Sequence, residues 1–281
     1  MTATPLRPPF HYYGGKSNLA ERIVRLMPGH DHYLEPFAGS LSVLLAKPRS
    51  TAETVNDLDR SLMTFWRVLR DRPDDLLRAC DLTPHGRAEL EEAYEPAADD
   101  LEQARRVWVR LSQGRGGVLG RRTGWRFMPN TRGYGMSAPD LMDSYVDRIL
   151  PAAERLRGVS LECRPALELI DRYGRNDDVL IYADPPYPQT TRDSDGNEYG
   201  QEMRTDDDHR ALAEMLRAAR AAVVLSGYPS DLYDLELFPD WHRIELDTQT
   251  SQGGAGNARV EVLWSNRPLG HLPTLFDMEG A

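Results

Sequence analysis

The chain has 281 residues and is 40% hydrophobic, which suits one globular core with an elaborating insert. Its net charge of −10 argues at first against a polyanionic partner. No apolar run is long enough to span a bilayer, no secretory signal precedes Phe10, and Cys80 and Cys163 are the only cysteines. Because no cluster of ligands accompanies the scattered histidines, we expect a cytoplasmic, monomeric protein with neither a membrane nor a metal partner.

The first part of the chain alternates strand and helix patterns. His32 to Phe37 predicts a short buried strand, and Leu41 to Ala46 predicts the beginning of a buried helix. Thr51 to Asn56 predicts a second strand that ends at Asp57, and Ser61 to Arg70 has helical periodicity. This alternation is typical of an α/β fold with a Rossmann-like, doubly wound and mostly parallel sheet.

The alternation stops near residue 73 and resumes near residue 158. Residues 73–157 predict a mainly helical insert, interrupted by a Gly/Arg/aromatic loop at Gly114 to Gly135. Later strands are predicted at Val159 to Cys163, Val179 to Ala183, Ala221 to Ser226, Trp241 to Asp247 and Arg259 to Trp264, with helices at Ala166 to Tyr173 and Asp207 to Arg220. We therefore expect one domain from residues 1–72 and 158–268, with a loop at Gln189 to Thr205 and a weakly ordered tail at 269–281.

The segment Asp184-Pro185-Pro186-Tyr187 directly follows a continuous apolar strand pattern. The two prolines lack N–H donors and fix φ, so they hold the Asp184 carboxylate and nearby carbonyls at the edge of the sheet where ligands bind. These acceptors suit the two hydrogens of an exocyclic amine, and Tyr187 offers a flat face for an unstacked base. The pattern predicts direct methyl transfer to a planar amine, achieved by orientation and electrostatics. The alternative is a capped strand end with a Pro-Pro turn.

Two upstream segments indicate a nucleoside site. Glu35 to Ser40 places Gly39 after the first strand, where a glycine permits close approach to a ligand. Asp57 ends the second strand, from which a carboxylate can hold a ribose diol. Near the N-terminus, Tyr12 to Lys16 combines aromatic faces, a glycine turn and one cation, so Lys16 could meet the carboxylate of a methionine moiety. A surface turn is the alternative for that last segment.

A basic segment lies within the insert. Between Gln103 and Pro139 there are eight arginines and no acidic residue. The part from Arg115 to Arg132 is interleaved with aromatic residues and glycines, which suits phosphate contacts and insertion of flat side chains into a duplex. An arginine-rich solvated loop produced by coding bias is the alternative. We expect DNA contacts from Arg115, Arg121, Arg122, Trp125, Arg126 and Arg132.

Taken together and in this order, the segments resemble the Dam-type family of DNA N6-adenine methyltransferases. The resemblance covers about Phe10 to Arg70 and Leu161 to Tyr187, with weaker similarity at Ser226 to Tyr228 and Arg259 to Asn266. It implies a methyltransferase sheet, S-adenosylmethionine as cofactor, double-stranded DNA as partner, and a bacterial or phage-infected bacterial cell as the location. It also implies that residues 73–157 recognise the DNA target.

Carried over to this sequence, the resemblance implies specific roles. Asp184, Pro185 and Tyr187 would act on a flipped adenine. Cofactor contacts would come from Tyr12, Lys16, Glu35, Phe37, Gly39, Asp57 and Asp184. The sequence departs from the family pattern at Leu41, where many members have a second glycine, and at Arg164, where an acid is frequent.

Other functions remain open at this stage. The amine could be cytosine N4, although such enzymes usually carry Ser at the first position of the catalytic motif. Enzymes that methylate glutamine side chains usually carry Asn there. Adenine in RNA fits the same carboxylate, and a catalytically silent DNA-binding relative would keep the fold alone. The intact Asp184, Lys16 and Asp57 favour an active enzyme.

Overall fold

A computed structural model of the protein describes residues 5–127, 137–187, 203, 205–248 and 259–270. Within these ranges, seven strands form one sheet: β1 (His32–Glu35), β2 (Ala52–Asn56), β3 (Ser160–Glu162), β4 (Val179–Ala183), β5 (Ala222–Gly227), β6 (His242–Thr248) and β7 (Arg259–Ser265). Arg132, most of the predicted loop at 189–205, and all but two residues of the predicted tail lie outside the described residues.

The strand order is β3-β2-β1-β4-β5-β7-β6, with β1 to β5 parallel and β7 antiparallel to both neighbours. The expected Rossmann-like, doubly wound sheet is thereby confirmed. Each strand lies within about two residues of its predicted position. β1 ends at Glu35 and not at Phe37, because Pro36 has no N–H to continue the ladder.

Ten α-helices and one π-helix occur in the described part of the chain. They are α1 (Ala20–Leu26), α2 (Ser42–Ala46), α3 (Arg60–Asp71), α4 (Pro73–Asp81), α5 (Arg87–Glu92), α6 (Asp100–Gln113), α7 (Ala138–Val146), α8 (Ile149–Leu156), α9 (Ala166–Tyr173), α10 (Asp206–Ala218) and a π-helix at Leu232–Leu237. None of the helices in these ranges combines the length and apolar character needed to cross a membrane.

Both faces of the sheet are covered, as a continuous apolar strand requires. All five residues of β4 are buried. Leu180 and Tyr182 belong to one hydrophobic cluster, whereas Val179, Ile181 and Ala183 belong to the other, which includes residues of α9 and α10. The carboxyl end of β4 therefore sits in a rigid setting, from which Asp184 projects.

The helices between β2 and β3 pack on the sheet domain. α6 and α8 contact α3, and Trp108 of α6 lies in the same cluster as Phe65 and Trp66 of α3. Trp108 Nε1 also donates to the Pro9 carbonyl oxygen, 2.9 Å away. The helical part of residues 73–157 is thus fastened to the core that positions the first two strands.

Candidate active site

One cavity of about 320 Å³ lies at the carboxyl edge of the sheet. β2, β1 and β4 are neighbours there, so the groups at the ends of these strands meet. Nine residues singled out in the sequence line the cavity: Tyr12, Lys16, Glu35, Phe37, Gly39, Asp57, Asp184, Pro185 and Tyr187. The size is typical of a small-molecule site.

Asp184 is held at one end of the cavity by an ion pair. Its Oδ1 lies 2.8 Å from Lys16 Nζ, and its side chain is 18% exposed. Burial raises the pKa of Asp184 to about 6; the Lys16 ammonium opposes this rise and the Glu261 carboxylate adds to it. At neutral pH the carboxylate is therefore ionised and available as an acceptor.

Lys16 is buried and surrounded by acceptors. Besides Asp184, its Nζ lies 3.4 Å from Glu261 Oε1 and donates to Tyr187 Oη at 2.6 Å and to the Gly14 carbonyl at 3.2 Å. Burial alone would lower its pKa, but the two carboxylates raise the pKa well above its ordinary value. The ammonium contacts Asp184 and Tyr187 of the Asp-Pro-Pro-Tyr segment, whereas the sequence interpretation directed it towards a methionine carboxylate.

Tyr187 is fixed at both its hydroxyl and its ring. The hydroxyl accepts from Lys16 and donates to Glu261, 3.1 Å away. The ring centroid lies 4.2 Å from that of Tyr228, a separation too small for a base to lie between the two rings. Only 8% of Tyr187 is exposed, so the face offered to a ligand is the part that lines the cavity.

The other end of the cavity is built by Gly39 and Asp57. Gly39 has φ of +46°, and a Cβ there would lie 3.0 Å from the Tyr12 ring, so any other residue would be strained and would crowd Tyr12. Its N–H donates to Asp57 Oδ2 at 2.9 Å, and its carbonyl accepts from Trp66 Nε1 at 3.0 Å. Burial raises the pKa of Asp57 to about 6, against the effect of hydrogen bonds from the Asp59 and Gly39 N–H groups.

Two neighbouring residues are unusual. Leu41 has a strained backbone conformation, and Glu35 has a raised pKa. Leu41 is fully buried and has φ of +55°, so the turn keeps a left-handed residue where a glycine would be unstrained. Glu35 is buried and accepts from the Tyr33 hydroxyl at 2.9 Å. Burial raises the pKa of Glu35 to about 8, so it holds a proton at neutral pH.

The basic segment is not uniformly available for a polyanion. Arg105 pairs with Glu89 and Glu102, and Arg106 pairs with Glu92 and Glu102. These acids lie outside the acid-free window, so the first arginines of the segment stabilise the helical insert. Arg110 likewise donates to the Leu119 carbonyl oxygen. The interpretation of the whole window as one basic surface is corrected to the loop that follows α6.

That loop carries the nominated arginines and returns to the cavity. Arg115, Arg121 and Arg122 are exposed, and Arg122 pairs with Glu95 at 2.9 Å on the surface. The Tyr13 N–H donates to the Gly117 carbonyl at 2.9 Å, and Leu119 and Gly120 line the cavity. The loop thus connects the exposed arginines to the segment from Tyr12 to Lys16.

Trp125 and Arg126 are more enclosed than expected for residues that reach into DNA. Trp125 stacks between His85 at 4.5 Å and Phe127 at 5.5 Å, measured between ring centroids. Arg126 is half-buried, and its positive charge contributes, after burial, to lowering the pKa of His11. Phe127, at the outer end of the stack, is the exposed aromatic residue of this group.

Several groups in or beside the cavity were not predicted from the sequence. Glu261 does not line the cavity but contacts its residues Lys16 and Tyr187, and it comes from a segment predicted only as a strand. Leu119 and Gly120 line the cavity and come from the middle of the basic loop. The Tyr182 hydroxyl is buried in the cavity wall, a position that the strand alternation could have indicated. Arg164 pairs with Glu162 and Glu168 on the surface and does not line the cavity. Among the described residues, no group of three ligating side chains could hold a metal ion.

A family model described as D12 class N6 adenine-specific DNA methyltransferase matches residues 12–104 and 147–250, more than two thirds of the chain. A comparison with curated proteins found no match. The matched ranges contain both ends of the cavity, and they confirm the resemblance to the Dam-type enzymes. The chain therefore belongs to the D12 class N6 adenine-specific DNA methyltransferase family.

Proposed function

We propose that the protein uses S-adenosylmethionine to methylate, directly at N6, an adenine flipped out of double-stranded DNA. The observation that carries the proposal is the shared cavity. It has the Asp57 and Gly39 groups of a nucleoside site at one end and the Asp184 carboxylate at the other. A donor molecule and an acceptor amine could therefore meet without a covalent enzyme intermediate.

The residues present fit S-adenosylmethionine. Asp57 accepts one hydrogen bond at each carboxylate oxygen, from Gly39 and Asp59, and each oxygen keeps a further lone pair for a ribose hydroxyl. Gly39 leaves room beside the Tyr12 ring, where a Cβ would already be crowded. When bound, S-adenosylmethionine supplies an electrophilic methyl group on a positively charged sulfur. Glu35 and Phe37 complete the wall on this side.

Asp184 and its neighbours would act on the adenine amine that receives the methyl group. The carboxylate accepts a hydrogen of the adenine amine, and a backbone carbonyl of the Pro-Pro segment accepts the other, which concentrates the lone pair on nitrogen. The methylated amine then gives up one proton, which Asp184 can take, because its pKa lies near 6. Until Asp184 takes up that proton, Lys16 compensates its negative charge.

The exposed arginines of the loop after α6 would hold the duplex. Arg115, Arg121 and Arg122 lie on the same loop as Leu119 and Gly120, which reach the cavity. Phosphate contacts at this loop would therefore place a flipped nucleotide next to Asp184. The family match leaves residues 105–146 between its two ranges, and we assign target recognition to residues 73–157, which contain that segment.

The proposal is tested by transfer of a labelled methyl group from S-adenosylmethionine to duplex DNA, single-stranded DNA and RNA. We expect the label in duplex DNA as N6-methyladenine. Asp184→Asn should lower the rate by at least about a hundredfold, whereas Asp177→Asn, a surface change, should not. Label on cytosine or on RNA, or none with the wild-type enzyme, would overturn the proposal in favour of the corresponding alternative.

A further inference from the structure

Glu261 is a buried acid on the antiparallel strand β7, and only 3% of it is exposed. The roles proposed above do not involve it, yet its carboxylate contacts Lys16 and Tyr187, which both line the cavity. Strand β7 lies next to β5, and β5 lies next to β4. The sheet order therefore brings a residue from near the C-terminus to the edge of the cavity.

Its contacts form a closed hydrogen-bond network. The Tyr187 hydroxyl donates to Glu261 Oε1 and Oε2, at 3.1 and 3.4 Å, and Ser226 Oγ donates to Oε1 at 2.5 Å. Lys16 Nζ, at 3.4 Å from Oε1, completes the network. The same ammonium holds Asp184 at 2.8 Å. One lysine thus bridges the catalytic carboxylate and Glu261.

The charges in this cluster do not balance. Two carboxylates share one ammonium in a buried site, so Glu261 places a second negative charge close to Asp184. Its carboxylate contributes to the raised pKa of Asp184, after burial and the opposing effect of Lys16. The other titratable groups that act on Asp184 or feel its charge are Glu35 of β1, Tyr182 of β4 and Tyr233 of the π-helix.

We propose that Glu261 is a positioning residue for the methyl transfer, which fixes Tyr187 through its hydroxyl and sets the charge beside Asp184 through Lys16. The inference rests on the proposed function and deepens it. A purely structural role would be to fasten β7 to the segment after β4. The two roles differ in one respect: only the positioning role makes the pH dependence of the chemical step follow the charge at residue 261.

The test compares Glu261→Gln with the wild-type enzyme. The amide keeps the size of the side chain and one acceptor but removes the charge. We expect kcat to fall about ten- to a hundredfold, as when a hydrogen bond to a charged group is lost, with KM for S-adenosylmethionine unchanged. Asp184 must be ionised, so activity falls as the pH drops through its pKa. Without the neighbouring negative charge that pKa is lower, so the acidic limb of kcat should move to lower pH.

Matched variants separate charge from shape. Glu261→Asp keeps the charge but shortens the reach, so it should lower kcat and leave the acidic limb in place. Glu245→Gln makes the same chemical change at an exposed residue of β6 and should alter neither. If Glu261→Gln fails to fold, Tyr187→Phe carries the test, because it keeps the ring and removes the hydroxyl; a wild-type kcat there would overturn the proposal.

The outcomes distinguish this inference from the proposed function. A wild-type enzyme that methylates adenine, combined with a Glu261→Gln variant whose kcat or acidic limb is unchanged, would overturn the role of Glu261 alone. A wild-type enzyme that transfers no methyl group from S-adenosylmethionine to adenine would overturn the proposed function. Lower kcat together with the shifted limb supports both.

Discussion

Three carboxyl groups around the cavity have raised pKa values, and burial is the main cause in each. The values are about 8 for Glu35 and about 6 for Asp57 and Asp184. Glu35 is therefore protonated at neutral pH, whereas the other two are ionised. The three carboxyl groups therefore differ in charge at neutral pH. Glu35 is a neutral hydrogen-bonding group in the cavity wall, and the two aspartates are anionic hydrogen-bond acceptors.

The proton on Glu35 makes stability depend on pH. Its pKa is higher in the folded state than in the unfolded chain, so between about pH 4.5 and 8 the folded state binds more protons and loses stability as the pH rises. From pH 6.5 to 8 we expect the wild-type free energy of unfolding to fall with a slope of up to about 1.4 kcal/mol per pH unit from this group. Glu35→Gln, which mimics the neutral acid, should remove that slope in urea unfolding. Parallel curves for the two proteins would contradict the assignment.

If Asp57 holds the ribose as we propose, cofactor binding should depend on pH in the opposite direction. Only the ionised carboxylate offers both oxygens to a ribose diol, and it is protonated as the pH falls through about 6. We expect the Kd for S-adenosylmethionine, measured by calorimetry, to rise between pH 7.5 and 5. In Asp57→Asn the affinity should be weaker at pH 7.5 and nearly independent of pH. An unchanged pH dependence in this variant would remove Asp57 from the cofactor site.

At the scale of elements, the arginines on helix α6 differ in their surroundings from those on the loop that follows it. Arg105, on α6, is half-buried between Glu89 and Glu102, whereas Arg121, on the loop, is exposed. The loop is tied to the N-terminal segment where Gly117, with φ of +67°, approaches the His11 backbone so closely that a Cβ would lie 2.7 Å from its carbonyl oxygen. Charge on this loop is therefore held in a defined position.

Replacing each of the two arginines by alanine should affect a different property, DNA binding for Arg121 and stability for Arg105. Arg121→Ala should weaken duplex binding and reduce the slope of log K against log salt by about 1, with cofactor affinity unchanged. Arg105→Ala should instead lower the free energy of unfolding by about 1–3 kcal/mol, because it removes the ion-pair partner of the half-buried Glu89 and leaves Glu102 with Arg106 alone, and the folded fraction should keep the wild-type salt slope. Equal loss of cofactor and DNA binding in Arg121→Ala would contradict the division.

Across the whole molecule, the sequence predicted the fold well and the site in part. Strand β4 is a continuous apolar run, and the other strands are short segments with recurring apolar residues bounded by turns, so their positions follow from local pattern. Asp57 and Asp184 could be found because each directly follows such a strand. Helix α1 and the π-helix were not predicted. The short α1 follows a turn segment, and the π-helix depends on its packing beside α10 more than on local pattern.

The remaining site residues depend on long-range neighbours. Glu261 looks like one polar residue in a strand, and its role appears only because the antiparallel pairing places β7 beside β5. For the arginine window the sequence predicted too much. Residues 103–139 contain no acid, but in the folded protein Glu89 and Glu102 pair with Arg105. A linear window reports charge along the chain, whereas the partners of Arg105 are set by packing of α6 against its neighbours.

The most direct test of the central claim is single-molecule sequencing of DNA from a host that expresses this protein. We expect N6-methyladenine at one recurring sequence with the wild-type chain, and none above background with Asp184→Asn at equal expression. Methylation of cytosine, or an unmodified genome with the folded wild-type protein present, would contradict it.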